Sequence, residues 1–417
     1  MRQFSVLFLS VFSLFLTLSA PVFADGRPDI PTLVDRLVHG DTMEKSNARY
    51  ALIRAGGDAV PALIDELKKR EALPDVTLIL NRTRDPRAAA ELVNLLDIHD
   101  EEVTGMVWAA IFSLGDASLP YLFDALKDDK RRDGAVTVLA GMGSPTGYPR
   151  LRKLLKDPDP MVNSAAARVE KSWLDRDALK EVAALLSSQN PATREAATGY
   201  YAALAQYYPM PGVETLLSDT DAAVRANALT SAIKQRTPIC GSFTSILAKD
   251  PDAGARRLAA EAVFRCCRDT SATPLIAALD DTDETVVIAS IGYLGELKAK
   301  EAAPHLATFL AADKKPSDAV VAAVAAALAS IGSGYDPDIF LPHANWENLY
   351  VVKAVLAAWE GSAKPGDDGI MKALRDYLPM LVDNRYKGRV KDLLQKLGGG
   401  PAATTGHKPE DPVTPSP

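Results

Sequence analysis

The sequence predicts an all-α protein: an α-solenoid, wound as a right-handed superhelix of about eleven antiparallel helix pairs. Turn residues recur at a nearly constant interval, and helix-period apolar positions follow each of them. No segment shows the alternating apolar pattern of a strand that faces water. The recurring turn residues are Asp128, Asp157, Ser188, Asp219, Asp250, Asp281 and Asp313. A repeat period of this length, about 30 residues, is typical of a solenoid.

Residues 1–24 have the pattern of a secretory signal. Arg2 precedes an apolar run from Phe4 to Leu18, and the small residues Val22 and Ala24 precede the polar Asp25. We expect cleavage after Ala24 and a periplasmic or secreted mature protein. The alternative is a retained membrane anchor, because a segment of about 20 apolar residues can cross a bilayer.

The mature chain is acidic and forms one repeat array. Arg2 is the only charged residue removed with the signal, which leaves 46 Lys plus Arg against 54 Asp plus Glu. This balance argues against a nucleic-acid partner, because phosphate contacts need a cationic surface. We expect residues 25–397 to form the solenoid, with an irregular C-terminal cap from about residue 336. The Gly- and Pro-rich residues 398–417 are predicted to be disordered.

Each unit is predicted to hold two helices. After Asp219, apolar residues fall on one face of a first helix, and Thr237-Pro238 then breaks the chain before a second helix that carries Phe243 and Leu247. The same order returns in the unit that follows Asp250. Such short helices are unstable alone, so the array must be held together by burial against neighbouring units.

These units resemble the HEAT repeat superfamily, in its short bacterial form. The matching residues are Asp219, Arg225 and Leu229, then Asp250, Arg256 and Ala260, and the pairs Pro120/Leu122, Pro149/Leu151, Pro274/Leu275 and Pro304/Leu306. The resemblance covers roughly residues 40 to 335. The chain departs from it at Val287 and Asn163, where other units carry arginine. Members of this superfamily are mostly binding scaffolds, which is what the resemblance implies here.

Pairs of aspartates spaced two apart accompany the turns. They are Asp157/Asp159, Asp219/Asp221, Asp250/Asp252 and Asp281/Asp283. We interpret one aspartate of each pair as the cap of the following helix, with Arg194, Arg225 and Arg256 pairing to turn carboxylates of adjacent repeats. Calcium binding is the alternative, but no loop has the glycine and distal glutamate of a calcium site.

Three cysteines remain in the mature chain. Cys240 should begin a second helix, whereas Cys266 and Cys267 should end the first helix of the next unit, on the same edge of the solenoid. A disulfide from Cys240 to Cys266 or Cys267 is therefore feasible. The alternative is that all three are small buried apolar residues.

The sequence contains no motif for catalysis, a cofactor or a metal. The five histidines are widely separated and none has metal-ligand spacing. We therefore expect no catalytic residue, no cofactor and no metal site. The histidines are His39, His99, His305, His343 and His407.

Two surface groups are candidates for partner binding. The first is basic, with Arg150, Arg152 and Lys153, and would suit an acidic peptide or an anionic glycan; the alternative is a solvated face balanced by nearby aspartates. The second is Tyr207 and Tyr208, which fall in a turn where no core requires them. Exposed tyrosines anchor protein or sugar partners, but these two could equally fix the turn onto its neighbour.

We therefore expect an exported, non-enzymatic scaffold or adaptor for protein–protein interactions in the cell envelope. Its partners would be envelope proteins, with no nucleic acid and no integral membrane segment after signal cleavage. One alternative is a carbohydrate or cell-wall binding module that uses the tyrosines. A HEAT-like enzyme of the lyase type is a further alternative, which the resemblance alone suggests.

Overall fold

A computed structural model describes residues 29–311, 315–332, 335–345, 347–381 and 383–398. These residues form 23 α-helices joined by short 3-10 segments and turns, and none of them forms a strand. The predicted all-α solenoid class is therefore confirmed. The predicted signal sequence, turn residue Asp313 and the tail after Gly398 lie outside the described residues.

The described chain divides into two compact units, one ending at Leu204 and the other beginning at Ala205. The helices of the first unit are α1 Ile30–His39, α2 Thr42–Ala55, α3 Val60–Lys69, α4 Leu73–Thr83, α5 Ala89–Asn94, α6 Glu101–Leu114, α7 Leu119–Ala125, α8 Arg132–Met142, α9 Tyr148–Leu154, α10 Pro160–Trp173, α11 Leu179–Leu185 and α12 Pro191–Leu204.

The second unit continues the same alternation of longer first helices and shorter second helices. Its helices are α13 Val213–Leu216, α14 Ala222–Gln235, α15 Cys240–Lys249, α16 Ala253–Cys266, α17 Ala272–Ala277, α18 Glu284–Leu297, α19 Ala303–Thr308, α20 Asp318–Ile331, α21 Leu349–Ser362, α22 Asp368–Tyr377 and α23 Asn384–Lys396. A 3-10 segment, Pro337–His343, precedes α21 and opens the predicted irregular cap.

The core of each unit consists of the apolar faces that the sequence predicted. In α14, Val224, Ala228 and Leu229 are fully buried, and Phe243 of α15 is buried in the same repeat. Small residues let the first helices approach closely. A Cβ added at Gly295 of α18 would lie 2.7 Å from the Cα of Ala327 in α20.

Aspartate caps begin the first helices, as predicted. Asp159, Asp221, Asp252 and Asp283 each accept a hydrogen bond from a backbone N–H in the first turn of the following helix. The preceding aspartate of each pair accepts from the capping residue's own N–H, which folds the turn. The carboxylates therefore serve the helix N-termini.

A second regularity holds these turns. In six successive turns, a side chain donates to the backbone carbonyl six residues before it, and we call each such bond a turn rung. The rungs are Thr104 to Ile98 O, Arg132 to Leu126 O, Asn163 to Asp157 O, Arg194 to Ser188 O, Arg225 to Asp219 O and Arg256 to Asp250 O, at 2.8 to 3.2 Å. Each rung satisfies a carbonyl that the helices leave without a partner.

Two of these arginines also reach the next turn. Arg225 donates from Nε and Nη2 to both carboxylate oxygens of Asp250, each at 2.7 Å, and Arg256 binds Asp281 in the same way. The predicted pairing between adjacent repeats is thus confirmed for both. The hydrogen bond from Arg256 lowers the pKa of the Asp281 carboxyl. Each guanidinium joins two successive turns.

We predict that Arg225→Ala destabilises the protein by about 3 to 5 kcal/mol, because it leaves the Asp250 carboxylate buried without its cation. The side chains of this pair are only 8% and 5% exposed. The matched control is Arg265→Ala, which removes a pair whose side chains are 46% and 24% exposed. That variant should lose less than about 1 kcal/mol. Urea unfolding measures both, and equal losses would contradict the role of the Arg225 rung.

A disulfide joins two neighbouring repeats of the second unit. Cys240 is the first residue of α15 and Cys267 directly follows α16, as expected from the helix assignment. Their sulfur atoms are bonded, with Cα atoms 5.7 Å apart. Cys266 is a free, half-buried thiol whose Sγ lies 3.8 Å from the carbonyl of Ala232. Burial raises the pKa of this thiol, which makes it a poor nucleophile.

We predict that Cys240→Ser combined with Cys267→Ser lowers the free energy of unfolding by about 3.5 kcal/mol, the chain-entropy value for a loop of this size. The sequence separation of the two cysteines is 27. Cys266→Ser is the matched control and should change stability by less than about 1 kcal/mol. Urea unfolding under non-reducing conditions tests both variants. A greater loss in the control would show that Cys266 forms the bridge in solution.

Candidate functional site

The basic candidates lie on the first unit and are tied to acidic neighbours. Arg150 in α9 donates to Asp124 at 2.5 Å, and its guanidinium lies 5.6 Å from the centre of the Phe123 ring. Arg152 donates to Asp175 at 2.5 Å and to Asp177 at 3.0 Å. Both arginines therefore connect α9 to residues of adjacent repeats.

Lysines near these arginines are paired in the same manner. Lys127 Nζ lies 3.1 Å from Asp157 Oδ2, and Lys156 Nζ lies 2.9 Å from Glu181 Oε1. Lys153 is exposed beside them in α9. The surface is thus a face of alternating charges that links repeats. An anionic partner would have to displace aspartates that are themselves exposed, Asp124 and Asp177, and exposed pairs are weak enough to exchange.

The buried carboxylate of Asp175 binds Arg152 of this basic face. The Asp175 carboxylate that binds Arg152 is 5% exposed, and the backbone carbonyl of Asp175 accepts from the Tyr200 hydroxyl at 2.7 Å. The backbone N–H of Asp175 donates to Glu170 Oε1 at 2.7 Å. Arg152 is therefore held in place by a carboxylate whose backbone is fixed on both sides.

Glu170 is the residue that sequence reasoning missed. It is fully buried in α10, where it occupies a position on the apolar face beside Trp173, and its Oε2 has no hydrogen-bond partner. Burial raises its pKa to about 7. The sequence does contain a signal for it. Val162, Ala166 and Val169 mark the apolar face of this helix, and Glu170 is a lone charged residue on that face.

The tyrosine candidates lie on the second unit. Tyr207 is 58% exposed, its ring centre lies 6.5 Å from that of Tyr208, and Tyr208 is half-buried. The side chain of Met210 is buried in the same turn, which fixes the backbone that carries both rings. The turn therefore presents Tyr207 to solvent while Met210 packs into the core.

The histidines do not assemble into a site in the described chain. Within the described residues, no group of three or more His, Cys, Asp or Glu side chains is placed to hold a metal ion. His305 is exposed in α19, and His343 Nε2 lies 3.0 Å from the carbonyl of Leu310. His407 lies outside the described residues.

One described helical stretch, Glu101–Ala125, has the length and apolar composition of a membrane span. It consists of α6, a 3-10 segment and α7, with Gly115 at a positive φ of 56° between the two helices. Val107, Ile111 and Leu122 from this stretch are buried in the core of the unit. These features are those of a core helix pair.

We predict that Glu170→Gln makes the stability less dependent on pH. The folded pKa of Glu170 is raised above the unfolded value, so the stability contributed by its neutral carboxyl is fully present below about pH 4.5. About 3 kcal/mol of it is lost as the pH rises from 4.5 to 7. Glutamine does not ionise. At pH 8 the variant should therefore exceed the wild type by up to about 3 kcal/mol, whereas the two should differ little near pH 5.

Urea unfolding at pH 5 and pH 8 measures this difference. Glu102→Gln, at an exposed position of α6, is the matched control and should keep the wild-type pH dependence. A Glu170→Gln variant that is less stable than the wild type at pH 8 would show that the Glu170 carboxylate is stabilised when ionised.

Comparison with known proteins shows which families and structures this chain resembles. Residues 242–329, from α15 to α20, match the family model for HEAT repeats. No curated protein sequence matches the chain. A chain in the structure of Kap95p with RanGDP is 12% identical with a TM-score of 0.52; the match covers 88% of this chain and 60% of that one.

Two other solved structures are similar at a lower level. YibA of Escherichia coli is 17% identical with a TM-score of 0.47, and the match covers 73% of this chain and 98% of YibA. An engineered protein is 20% identical with a TM-score of 0.41, covering 89% and 99% of the two chains. Residues 242–329 therefore match HEAT repeats, and the likeness to the chain in the Kap95p structure supports an α-solenoid fold.

Proposed function

We propose that this protein is exported and acts as a non-enzymatic scaffold or adaptor for protein–protein interactions in the cell envelope. The observation that carries the proposal is the HEAT repeat match at residues 242–329 within a solenoid of helix pairs. HEAT repeats commonly mediate protein–protein interaction, and one structural neighbour comes from a complex in which Kap95p binds RanGDP. Proteins with a fold of this type are typically scaffolds. The fold does not specify the partner, which depends on the residues of the binding surface.

The surface of the second unit supports a recognition role. Its successive repeats have equivalent positions, which can be compared one by one. In the core these positions keep their apolar character, as at Leu229, Ala260 and Ile291, all fully buried. At the next position along each helix, which is half-buried or exposed, the chemistry changes from Thr230 to Glu261 to Gly292. A core that repeats beneath a surface that varies suits a scaffold with a specific extended partner.

Two features support export. Residues 1–24 have the pattern of a secretory signal. The disulfide between Cys240 and Cys267 is a bond that persists in oxidising compartments and is rare in the cytosol. The signal pattern and the disulfide therefore favour the same compartment.

The tyrosine turn makes a carbohydrate or cell-wall binding module the second candidate. Tyr207 is exposed with the Tyr208 ring beside it, as sugar-binding aromatic side chains often are. Charge would matter little to such a site. The basic face around Arg150, by contrast, would bind an acidic segment in a salt-dependent way.

We predict that the full chain with a C-terminal tag is recovered from the envelope or medium, with its N-terminus at Asp25. Crosslinking in cells followed by affinity capture should retain one or a few proteins in fixed proportion to the chain. Mass spectrometry of the captured material is the measurement. Recovery of the chain in the cytosol with its signal intact would contradict export, and retention of glycan alone would favour the carbohydrate module.

Two variants identify the surface used. The first combines Tyr207→Ala and Tyr208→Ala, and the second combines Arg150→Ala and Lys153→Ala, so that each removes two side chains from one face. Loss of capture in the second variant, together with loss in high salt, would indicate the basic face. Loss in the first variant alone would indicate the tyrosine turn. A chain whose capture neither variant alters uses neither candidate surface.

A further inference from the structure

The turn before α18 lacks a rung. Arg225 and Arg256 occupy the same position in successive repeats, and Val287 of α18 occupies that position in the next one. Valine has no donor, so it cannot bind the turn carbonyl six residues before it. Among the described residues, no donor reaches the carbonyls of Asp281 and Thr282, whereas Arg225 donates to both carbonyls of its own turn.

A cavity lies beside this incomplete turn. Its volume is about 390 Å³, and its walls include Asp281, Thr282 and Glu284 from one turn and Ser317 from the turn before α20. In the preceding repeats, an arginine side chain spans the corresponding pair of turns. The cavity therefore lies where the next guanidinium of the series would be.

The number of residues between the starts of successive first helices increases at the same place. Helices α14, α16, α18 and α20 begin at Ala222, Ala253, Glu284 and Asp318. The first two intervals are equal, and the third, which contains the turn before α20, is longer. Val287 is also 6% exposed at the cavity wall. The absence of a long side chain at position 287 contributes to the open space.

The cavity is rich in acceptors of the kind that a guanidinium needs. Glu284 contributes a carboxylate whose Oε1 accepts from the Ser317 hydroxyl at 2.9 Å. Its apolar walls include Val287 and Phe309. The Asp281 carboxylate is already bound by Arg256, and the described lining residues include one cation, Lys315. A planar cation with several donors and apolar faces matches this arrangement.

We infer that this cavity binds an arginine side chain of a partner protein, which completes the missing rung from outside the chain. The chain's own turns show which group fits: in the two preceding repeats, a guanidinium donates to turn carbonyls and to a carboxylate. An ammonium group lacks the fixed fork of donors that lets arginine serve several acceptors at once. Naming a protein as the source of the arginine rests on the proposed function.

The test uses the full chain and N-acetyl-L-arginine amide as the probe. Ligand-observed NMR measures binding of this probe, of the lysine analogue and of the uncharged citrulline analogue. We expect millimolar binding of the arginine probe, at least tenfold tighter than binding of citrulline. Equal binding of the arginine and citrulline probes would overturn the inference, since the cavity would then not select a cation. Tighter binding of the lysine analogue than of the arginine probe would overturn it as well.

Variants locate the bound probe. Val287→Arg fills the cavity with the chain's own guanidinium and should weaken binding at least tenfold. Gly292→Arg adds the same charge to an exposed position of the same helix, where the space around the glycine is open, and should change the affinity less than twofold. Glu284→Gln removes one acceptor charge without adding bulk and should weaken binding severalfold. It tests the site even if Val287→Arg does not fold.

These outcomes separate the inference from the proposed function. Selective binding that Val287→Arg abolishes supports the cavity even if no envelope protein is captured, and the proposed function would then be wrong. Capture of an envelope protein by a chain that does not bind the probe supports the scaffold and overturns the cavity. Loss of that captured protein in Val287→Arg, but not in Gly292→Arg, would assign the arginine to the partner.

Discussion

The structure depends on satisfying the backbone carbonyls at the turns between second and first helices. Those carbonyls cannot join a helix, and an unpaired carbonyl in a packed turn is unfavourable. A side chain six residues downstream solves this problem in six successive turns, through threonine, asparagine or arginine. Where that residue is arginine, as at Arg225, the same group also binds the carboxylate of the next turn. Local turn geometry and the spacing of neighbouring repeats are then fixed by one side chain.

This arrangement leaves the outer positions free to vary. The charged side chains of α9 pair with acidic residues of neighbouring repeats, so charge on this face contributes to cohesion as well as to recognition. A partner must therefore either compete with exposed ion pairs or use a place where the internal pattern is interrupted. Val287 is such an interruption, because it leaves acceptors and space where the preceding repeats place a guanidinium.

A few contacts between neighbouring repeats involve buried polar groups or a disulfide. Glu170 and Asp175 lie under the basic face, and the raised pKa of Glu170 reflects a carboxyl enclosed in an apolar helix face with only one hydrogen bond. In the second unit, the bridge from Cys240 to Cys267 joins two successive repeats at a helix end. Both features constrain how one repeat sits on the next, and neither is part of the repeated sequence pattern.

The sequence alone determined the helical class, the repeat period, the aspartate caps and the pairing of Arg225 and Arg256 with the next turns. These features follow from local periodicity and turn chemistry, which are written in neighbouring residues. It also placed the three cysteines at adjacent helix ends but could not select the bonded pair. Tertiary structure decided that Cys267 takes the bond, that Arg150 and Arg152 are paired across repeats, and that one carboxyl oxygen of Glu170 is enclosed without a hydrogen-bond partner. Each of these depends on which residues of different repeats come within a few ångströms of one another. The sequence pattern does not contain the distances between residues of different repeats.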